Sequence, residues 1–107
     1  MPENNQPRQW ILQDKLEEIL GSDHVYFQPD RDVTIEYPCI VYKMNAPAIT
    51  RADNHVYLHT DCYELTVITE EPYDTIVRKI LAEFKYATPG ARYIGDGLYH
   101  WPITIYF

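Results

Sequence analysis

Two stretches of the chain place apolar residues at helical spacing. The first stripe consists of Leu12, Leu16, Ile19 and Leu20. It predicts a helix from about Pro7 to Leu20, because proline suits a first helical position and Gly21 can end the helix. The second stripe consists of Tyr73, Ile76, Val77, Ile80, Leu81 and Phe84. It predicts a second helix that opens at Pro72 with one face buried, in a helical region that ends at Pro89 and Gly90.

Two segments have the composition and alternation of strands. Cys39 to Met44 is rich in β-branched and aromatic residues and lies between two prolines, which predicts one strand. Asp61 to Thr69 alternates apolar and other residues, which predicts another strand. We expect its apolar set, Tyr63, Leu65 and Val67, to face the core.

Three further segments are short or polar. His55 to His59 predicts a short strand. The apolar piece Val25 to Phe27 leads into the charged stretch Gln28 to Glu36, which we expect to form a loop or a short edge strand. Asn45 to Asn54 is polar and contains a proline, so it predicts an exposed loop, and such loops often carry contacts with partners.

The carboxyl-terminal segment predicts a β-hairpin. Ala91 to Ile94 forms its first strand and Gly95 to Gly97 its turn. Leu98 to Phe107 forms its second strand, in which two sets of side chains alternate. Pro102 lies inside this second strand and lacks an amide donor, so the strand is expected to lie at an edge or to bulge there.

These elements follow the order helix, strands, helix and hairpin, which predicts an α+β fold. We expect a two-layer sandwich in which two amphipathic helices cover one face of a mainly antiparallel or mixed sheet. Residues 1–6 lack periodicity and are expected to form a flexible arm, followed by a single domain over residues 7–107. An unpaired sheet edge would then be open to another chain.

Composition and charge exclude several classes of partner. Of the 107 residues, 46% are hydrophobic and 23% are charged, as in a folded soluble domain. The net charge of −7 disfavours tight binding to nucleic-acid phosphates or to an anionic membrane surface. No apolar stretch approaches the roughly 18 residues of a membrane span, and residues 1–8 lack a hydrophobic signal core. We therefore expect the protein to be made in the cytoplasm.

Candidate catalytic and metal-binding groups are few. A single serine and four glycines form neither a nucleophile elbow nor a phosphate-binding loop. The best metal-like set is His55, His59, Cys62 and His100. On an extended chain, however, His55 and His59 would lie about 13 Å apart, too far to share one ion. Cys39 and Cys62 fall in predicted strand centres and are expected to be reduced packing residues, so we expect no catalytic residue, metal or cofactor.

Tyrosine is over-represented, with ten copies in the chain. Its large ring and hydroxyl group suit surfaces that are buried against another protein, although most of the ten are expected to pack inside the domain. Together with the lack of a catalytic motif, this excess favours an assembly protein over an enzyme.

Five segments carry a resemblance to a known family. They are Tyr37-Pro38-Cys39-Ile40-Val41-Tyr42, Asp53-Asn54-His55-Val56-Tyr57, Tyr63-Glu64-Leu65-Thr66-Val67-Ile68, Pro72-Tyr73-Asp74 and Asp96-Gly97-Leu98-Tyr99-His100. With the β-rich tail, they resemble small neck proteins of long-tailed bacteriophages and, more narrowly, the tail terminator (tail completion, or tail-to-head joining) proteins. The resemblance covers nearly all of the chain from about Leu16, and its motifs are structural rather than catalytic.

The resemblance implies a virion structural protein. Such a subunit would form a hexameric ring on the tail tube, stop tube polymerisation and join the tail to the head-completion connector. DNA would pass through the central channel without specific binding, and no catalytic residue is carried over. Assembly would take place in the cytoplasm of the host bacterium.

Two sets of residues are expected to serve this role. Contacts between subunits and with the tube are assigned to the Asn45 to Asn54 loop and the terminal strand, through Ile49, Arg51, Tyr106 and Phe107. Acids that face the channel and repel DNA phosphates are assigned to Asp53, Glu70, Glu71 and Asp74. Each acid could equally be an ordinary solvated or helix-capping residue. In particular, Glu70, Glu71 and Asp74 crowd the predicted start of the second helix, where Asp74 can pair with Arg78.

Two other functions remain open at this stage. A head-completion or stopper protein of the same neck would have the same sequence pattern. A small cytoplasmic enzyme or ligand-binding module with a His/Cys site belongs to a different class, and a bound metal or a deep apolar pocket would favour it.

Overall fold

The computed structural model describes residues 7–45 and 61–107. The predicted arm of residues 1–6, the short strand from His55 to His59 and nearly all of the Asn45 to Asn54 loop lie outside the described residues. The helices are α1 (Arg8–Leu20) and α2 (Thr75–Glu83). The strands are β1 (Val25–Phe27), β2 (Cys39–Met44), β3 (Cys62–Thr69), β4 (Tyr86–Pro89), β5 (Tyr93–Gly95) and β6 (Leu98–Tyr106).

Helix α1 forms where its apolar stripe predicts it. Pro7 occupies the N-cap position, and Gly21 follows the last residue with a φ of 86°. Only a residue without a Cβ adopts this left-handed conformation readily, and the Gly21 amide donates to the carbonyl of Glu17. Leu12 and Leu16 are fully buried beneath the helix.

The six strands form one mixed sheet in the order β1-β2-β3-β6-β4. Strand β1 runs parallel to β2, and every other pair is antiparallel. Strand β3 lies along one side of β6, while β4 and β5 share the other side, each pairing with a different part of it. With two helices beside this mixed sheet, the expected α+β class is confirmed.

The core lies between the helices and one face of the sheet. In the sheet, Tyr42 pairs with Leu65, and Leu65 pairs with Ile103, so these three side chains share a face. The prediction that Tyr63, Leu65 and Val67 face the core is confirmed, since each is at most 1% exposed. The helices contribute the buried side chains Leu12, Leu16, Val77 and Ile80.

Helix α2 begins later than predicted. It starts at Thr75 with Asp74 as its N-cap, so Pro72 does not open it, and the Tyr73 side chain is 67% exposed rather than part of the buried stripe. The Thr69 hydroxyl donates to the carbonyl of Glu71 at 2.7 Å, which closes a turn after β3 and delays the helix. The rest of the stripe packs as expected.

The prediction of a helical region up to Pro89 is wrong. Helix α2 ends at Glu83, and Phe84 is already extended, with its ring buried in the core. The following residues, Tyr86–Pro89, form strand β4, which pairs with the carboxyl-terminal half of β6. The long outer side of β6 would otherwise leave main-chain groups unpaired, and β4 satisfies them.

The terminal hairpin forms, but its long strand is central. Asp96 and Gly97 both have positive φ, as in a two-residue hairpin turn. Because β6 pairs on both sides, the expectation of an edge strand or a bulge at Pro102 is wrong. The Pro102 carbonyl accepts from the Gly90 amide at 2.8 Å, so its polar groups point away from β3. The amide hydrogen that Pro102 lacks would therefore point into the gap between β4 and β5.

The charged segment after β1 is a loop, as one of the two expectations had it. No strand forms between Phe27 and Cys39. The Glu36 amide donates to the Tyr26 hydroxyl at 3.1 Å. Since Tyr26 pairs with Val41, away from the buried Tyr42, its side chain lies on the sheet face opposite the helices. The loop therefore returns to β2 along this helix-free side of β1.

Candidate interaction surfaces

The predicted acids and the predicted interface aromatics lie at opposite ends of the sheet. Strand β3 pairs with β6 along its length, from Cys62 opposite Tyr106 to Thr69 opposite Tyr99. The eight residues of β3 span about 23 Å. Glu70, which follows Thr69, therefore lies at one end of the sheet, and Phe107 lies at the other end.

The end of the sheet beyond Thr69 presents carboxylates. Glu70 and Glu71 are both exposed. Their turn is held in place, because Thr69 bonds the Glu71 carbonyl and the Trp101 indole donates to the Thr69 hydroxyl at 3.3 Å. These two acids lie before α2 rather than in its first turn, which corrects the expectation that they cap it.

Asp74 differs from the other candidate acids. Its carboxylate lies 3.0 Å from Nε of Arg78, one helical turn later, which confirms the predicted pair. The pair offsets most of the charge that Asp74 could present to DNA. Of the three candidate acids in the described residues, Glu70 and Glu71 are the two that are exposed without an ion pair, and Asp53 lies outside the described residues.

The Phe107 side chain packs against other residues of its own domain. Its ring contacts Phe84 edge to face with centroids 5.8 Å apart, and the Arg8 guanidinium lies 4.3 Å from its centroid. Nε of Arg8 also donates to the Phe107 carbonyl at 3.2 Å. The main chain of Phe107 is paired with Asp61 in both directions. These contacts tie α1, the end of α2 and β6 together, which the sequence did not reveal.

All four predicted interface residues, Phe107 included, stay predictions. Tyr106 is half-buried and pairs with Cys62 and with Tyr86 in the sheet. Ile49 and Arg51 lie outside the described residues. The chain leaves β2 at Asn45, whose amide donates to the Cys62 carbonyl at 2.8 Å, and re-enters the described part at Asp61 beside Phe107.

Features at both edges of the sheet hinder the addition of another strand. At β1, the Gln13 amide donates to the outward carbonyl of Val25 at 2.9 Å. Just after β1, the side-chain oxygen Oε1 of Gln28 accepts a hydrogen bond from the Met44 amide at 3.2 Å. At β4, the pairing of Gly90 with Pro102 directs the polar groups of Pro89 and Ala87 outward, and Pro89 has no donor. These features hinder strand addition at Val25 of β1 and at the Pro89 end of β4.

The two lateral flanks of the sheet carry opposite charge. We call residues 14–36, which run from α1 through β1 and its loop, the acidic flank. It holds seven carboxylates and two cations, a net −5 with histidine neutral. We call residues 78–96, which run from α2 through β4 and β5, the basic flank. It holds four cations and two carboxylates, a net +2. Because β1 and β4 lie at opposite margins of the sheet, the charges of the loop after β1 and of the β4 and β5 segments lie at opposite margins, whereas Lys15 of α1 and Glu83 of α2 pair where the two helices meet.

Each flank also exposes apolar side chains. On the basic flank, Tyr93 and Ile94 are 53% and 61% exposed. Val33 on the acidic flank is 41% exposed, and Tyr37, the residue that follows this flank, is 36% exposed. An apolar centre with a charged rim is the usual anatomy of a protein–protein contact.

Among the described residues, the histidine and cysteine candidates do not come together, and His55 and His59 lie outside them. Cys39 and Cys62 are each the first residue of a strand rather than at a strand centre. His100 lies opposite Ile68, six positions along β3 from Cys62, which places the two residues about 20 Å apart. Within residues 7–45 and 61–107, no group of three metal-ligating side chains forms. Both thiols are free, and burial raises the pKa of Cys39 to about 11, so it is a poor nucleophile at neutral pH.

Two surface cavities are lined by polar and apolar side chains in comparable proportion. One of about 520 Å³ lies between the helices, where Lys15 and Glu83 form an ion pair at 3.2 Å. The other, of about 430 Å³, lies beside Gln28 on the helix-free face, where Lys43 lies 3.8 Å from Glu64. Neither has the mainly apolar lining that a small-molecule site usually has.

Comparison with protein-family models, with curated proteins and with solved structures finds no match for this chain. In the described part of the chain, no helix is both long enough and apolar enough to span a membrane. The surfaces described above are therefore the basis on which a function is argued.

Proposed function

We propose that this chain is a ring-forming tail terminator of a long-tailed bacteriophage. In this role, it caps the tail tube, stops tube polymerisation and joins the tail to the head-completion connector. The segments that carry the family resemblance support the proposal because several lie on framework elements. Tyr37 to Tyr42 leads into β2, Tyr63 to Ile68 lies within β3, and Asp96 to His100 begins the central strand β6.

The observation that carries the proposal is the opposite charge of the two flanks. A closed ring needs two different, complementary surfaces on each subunit, which meet head to tail around the ring. A net −5 on one margin of the sheet and a net +2 on the other supply such a pair. A monomeric enzyme has no need of this arrangement.

The exposed carboxylates of Glu70 and Glu71 suit a surface that DNA passes without binding. In a six-membered ring they would supply twelve negative charges, and like charge repels the phosphates at short range. The protein then works as a structural part of the virion neck, without catalysis, metal or cofactor.

Solution mass tests this proposal against a monomeric enzyme or ligand-binding module. Sedimentation of the purified chain over a wide concentration range is expected to show rings of about six subunits, either throughout or at the highest concentrations. A strictly monomeric protein that carries stoichiometric metal or a bound small molecule would contradict the proposal. Rings alone fit the head-completion alternative too, and tail length separates the two roles.

A further inference from the structure

We propose that the basic flank of one copy binds the acidic flank of the next copy through side chains. In this contact, the hairpin formed by β5 and β6 lies against the loop between β1 and β2. The inference rests on the ring assembly proposed above and names the two surfaces that close the ring.

The basic side of the contact is held in position before any partner arrives. The Arg92 guanidinium lies 5.3 Å from the ring centroid of Tyr99 and 5.5 Å from that of Trp101. Nζ of Lys85 lies 5.5 Å from the ring centroid of Tyr86. In the described part of the chain, neither cation forms an ion pair with a carboxylate, whereas Arg78 is already paired. A cation fixed on aromatic rings loses little side-chain entropy when it meets an anion.

The acidic side is also fixed to its framework. Asp30 and Asp32 are exposed on the loop after β1. The loop is held to β1 by the bond from the Glu36 amide to the Tyr26 hydroxyl and by a 3.1 Å contact between the Glu36 carboxylate and the His24 ring. Its carboxylates are therefore presented from a defined position.

Apolar side chains supply the centre of the contact. Tyr93 stacks on His100 with centroids 4.7 Å apart and nearly parallel rings, yet the Tyr93 side chain remains 53% exposed. Ile94, the next residue of the edge strand β5, lies on the other face of the sheet and is 61% exposed. On the opposite margin, Val33 and Tyr37 are exposed next to the carboxylates. Burying these four side chains would provide affinity, while the charges around them determine orientation.

Strand addition is disfavoured as the mode of contact. The outward carbonyl of β1 at Val25 is already bonded to Gln13, and Pro89 removes a donor from the outer edge of β4. Contacts between side chains remain as the way to join two margins of opposite charge. Since the two patches differ and lie at opposite margins, each copy binds one neighbour on each side.

Charge-reversal variants, used singly and in mixture, test this contact. The first variant combines Lys85→Glu with Arg92→Glu, and the second combines Asp30→Lys with Asp32→Lys. Each variant keeps one intact flank, so each alone is expected to lose assembly at concentrations where the wild type forms rings. Mixed in equal amounts, the two should assemble again, because the intact basic flank of the second variant can bind the intact acidic flank of the first, and the two reversed flanks also carry opposite charges.

Matched controls separate the flanks from a general charge effect. Glu70→Lys with Glu71→Lys makes the same change in net charge as the second variant, but at the end of the sheet. Lys43→Glu, on the helix-free face of the sheet and outside both flanks, changes the charge in the same direction as the first variant. Both controls should still assemble, and circular dichroism should show that all four variants are folded.

The outcomes distinguish this inference from the proposed function. Rings that persist in either flank variant, or a mixture that stays monomeric while the wild type forms rings, would contradict the inference and leave the ring function standing. A wild type and a mixture that both stay monomeric at every concentration would contradict both. Loss of rings in each flank variant and renewed assembly in the mixture would support the inference.

Discussion

The side-chain amide of Gln13 donates a hydrogen bond to the main-chain carbonyl of Val25 at 2.9 Å. The same side chain accepts from the Tyr42 hydroxyl at 2.6 Å. One residue of α1 therefore satisfies the outer edge of β1 and a buried tyrosine of β2. The bond to Val25 satisfies an outward carbonyl of β1 and so hinders the addition of another strand there.

Removing the Gln13 side chain is expected to destabilise the fold. Gln13→Ala leaves the Val25 carbonyl without its side-chain donor and takes one of two partners from the Tyr42 hydroxyl, since Gln9 still bonds it. We expect the free energy of unfolding to fall by about 1–3 kcal/mol. Urea unfolding measures the loss, and Asp14→Ala at the next, exposed position is the control. Equal stability of the two variants would show that the bond contributes nothing.

The Phe107 side chain is expected to stabilise the folded monomer, independently of any role in assembly. Phe107→Ala removes the contacts with Phe84 and Arg8, and we expect a loss of about 1–3 kcal/mol in the free energy of unfolding. The measurement is urea unfolding of the monomer at low concentration. A variant as stable as the wild type would contradict this expectation, and its failure to assemble would support the predicted interface role of Phe107.

Alkaline pH is expected to destabilise the protein through two buried groups. Burial raises the pKa of Cys39 from 9.0 to about 11 and that of Tyr63 from 10.0 to about 12. The unfolded chain loses these protons at lower pH than the folded chain, so the contribution of Cys39 to stability is intact below pH 9 and is lost between pH 9 and 11. The loss for Cys39 is on the order of 2 kcal/mol.

Urea unfolding at pH 8, 9, 10 and 11 measures this dependence. In Cys39→Ala, the decline between pH 9 and 11 should be shallower than in the wild type. The matched control is Cys62→Ala, because Cys62 is only partly buried, and it should keep the wild-type slope. Parallel curves for all three proteins would rule out Cys39 as a cause.

Much of the helical framework could be predicted because its signals are local. The α1 stripe, Pro7 and Gly21 lie within one short stretch and act on the same helix. Strand β4 could not be predicted in this way, because Tyr86–Pro89 is short and forms by pairing with β6, which comes later in the chain. The central position of β6 was missed for the same reason, since Pro102 is tolerated only because of where β4 ends and β5 begins.

The candidate surfaces depended even more on topology. The sequence shows that residues 14–36 are acidic and that residues 78–96 are basic, but not that they lie at opposite margins of one sheet. Nor does the sequence show that the Phe107 ring packs against Phe84 and Arg8. The exposed acids Glu70 and Glu71 could be named from their position after a strand, whereas the pairing of Asp74 followed from helical spacing.

The proposed contact between copies should depend on one exposed apolar residue and on salt. Ile94→Ser removes a 61% exposed side chain from the basic flank, and we expect assembly to weaken about tenfold. Tyr73→Ser, at a similarly exposed site outside both flanks, is the control and should assemble normally. Raising the salt concentration to about 1 M should also weaken wild-type assembly, because exposed charges are screened. Sedimentation velocity measures both effects, and salt-insensitive rings would argue against charge pairing.

The length of tails made without this protein tests the tail terminator role most directly. Electron micrographs of phage particles whose gene for this chain is deleted should show tail tubes of uncontrolled length, and the wild-type gene should restore a single length. The gene with Lys85→Glu and Arg92→Glu should not restore it. Tails of normal length in the deletion, beside heads that fail to join them, would contradict the terminator role and favour a head-completion protein.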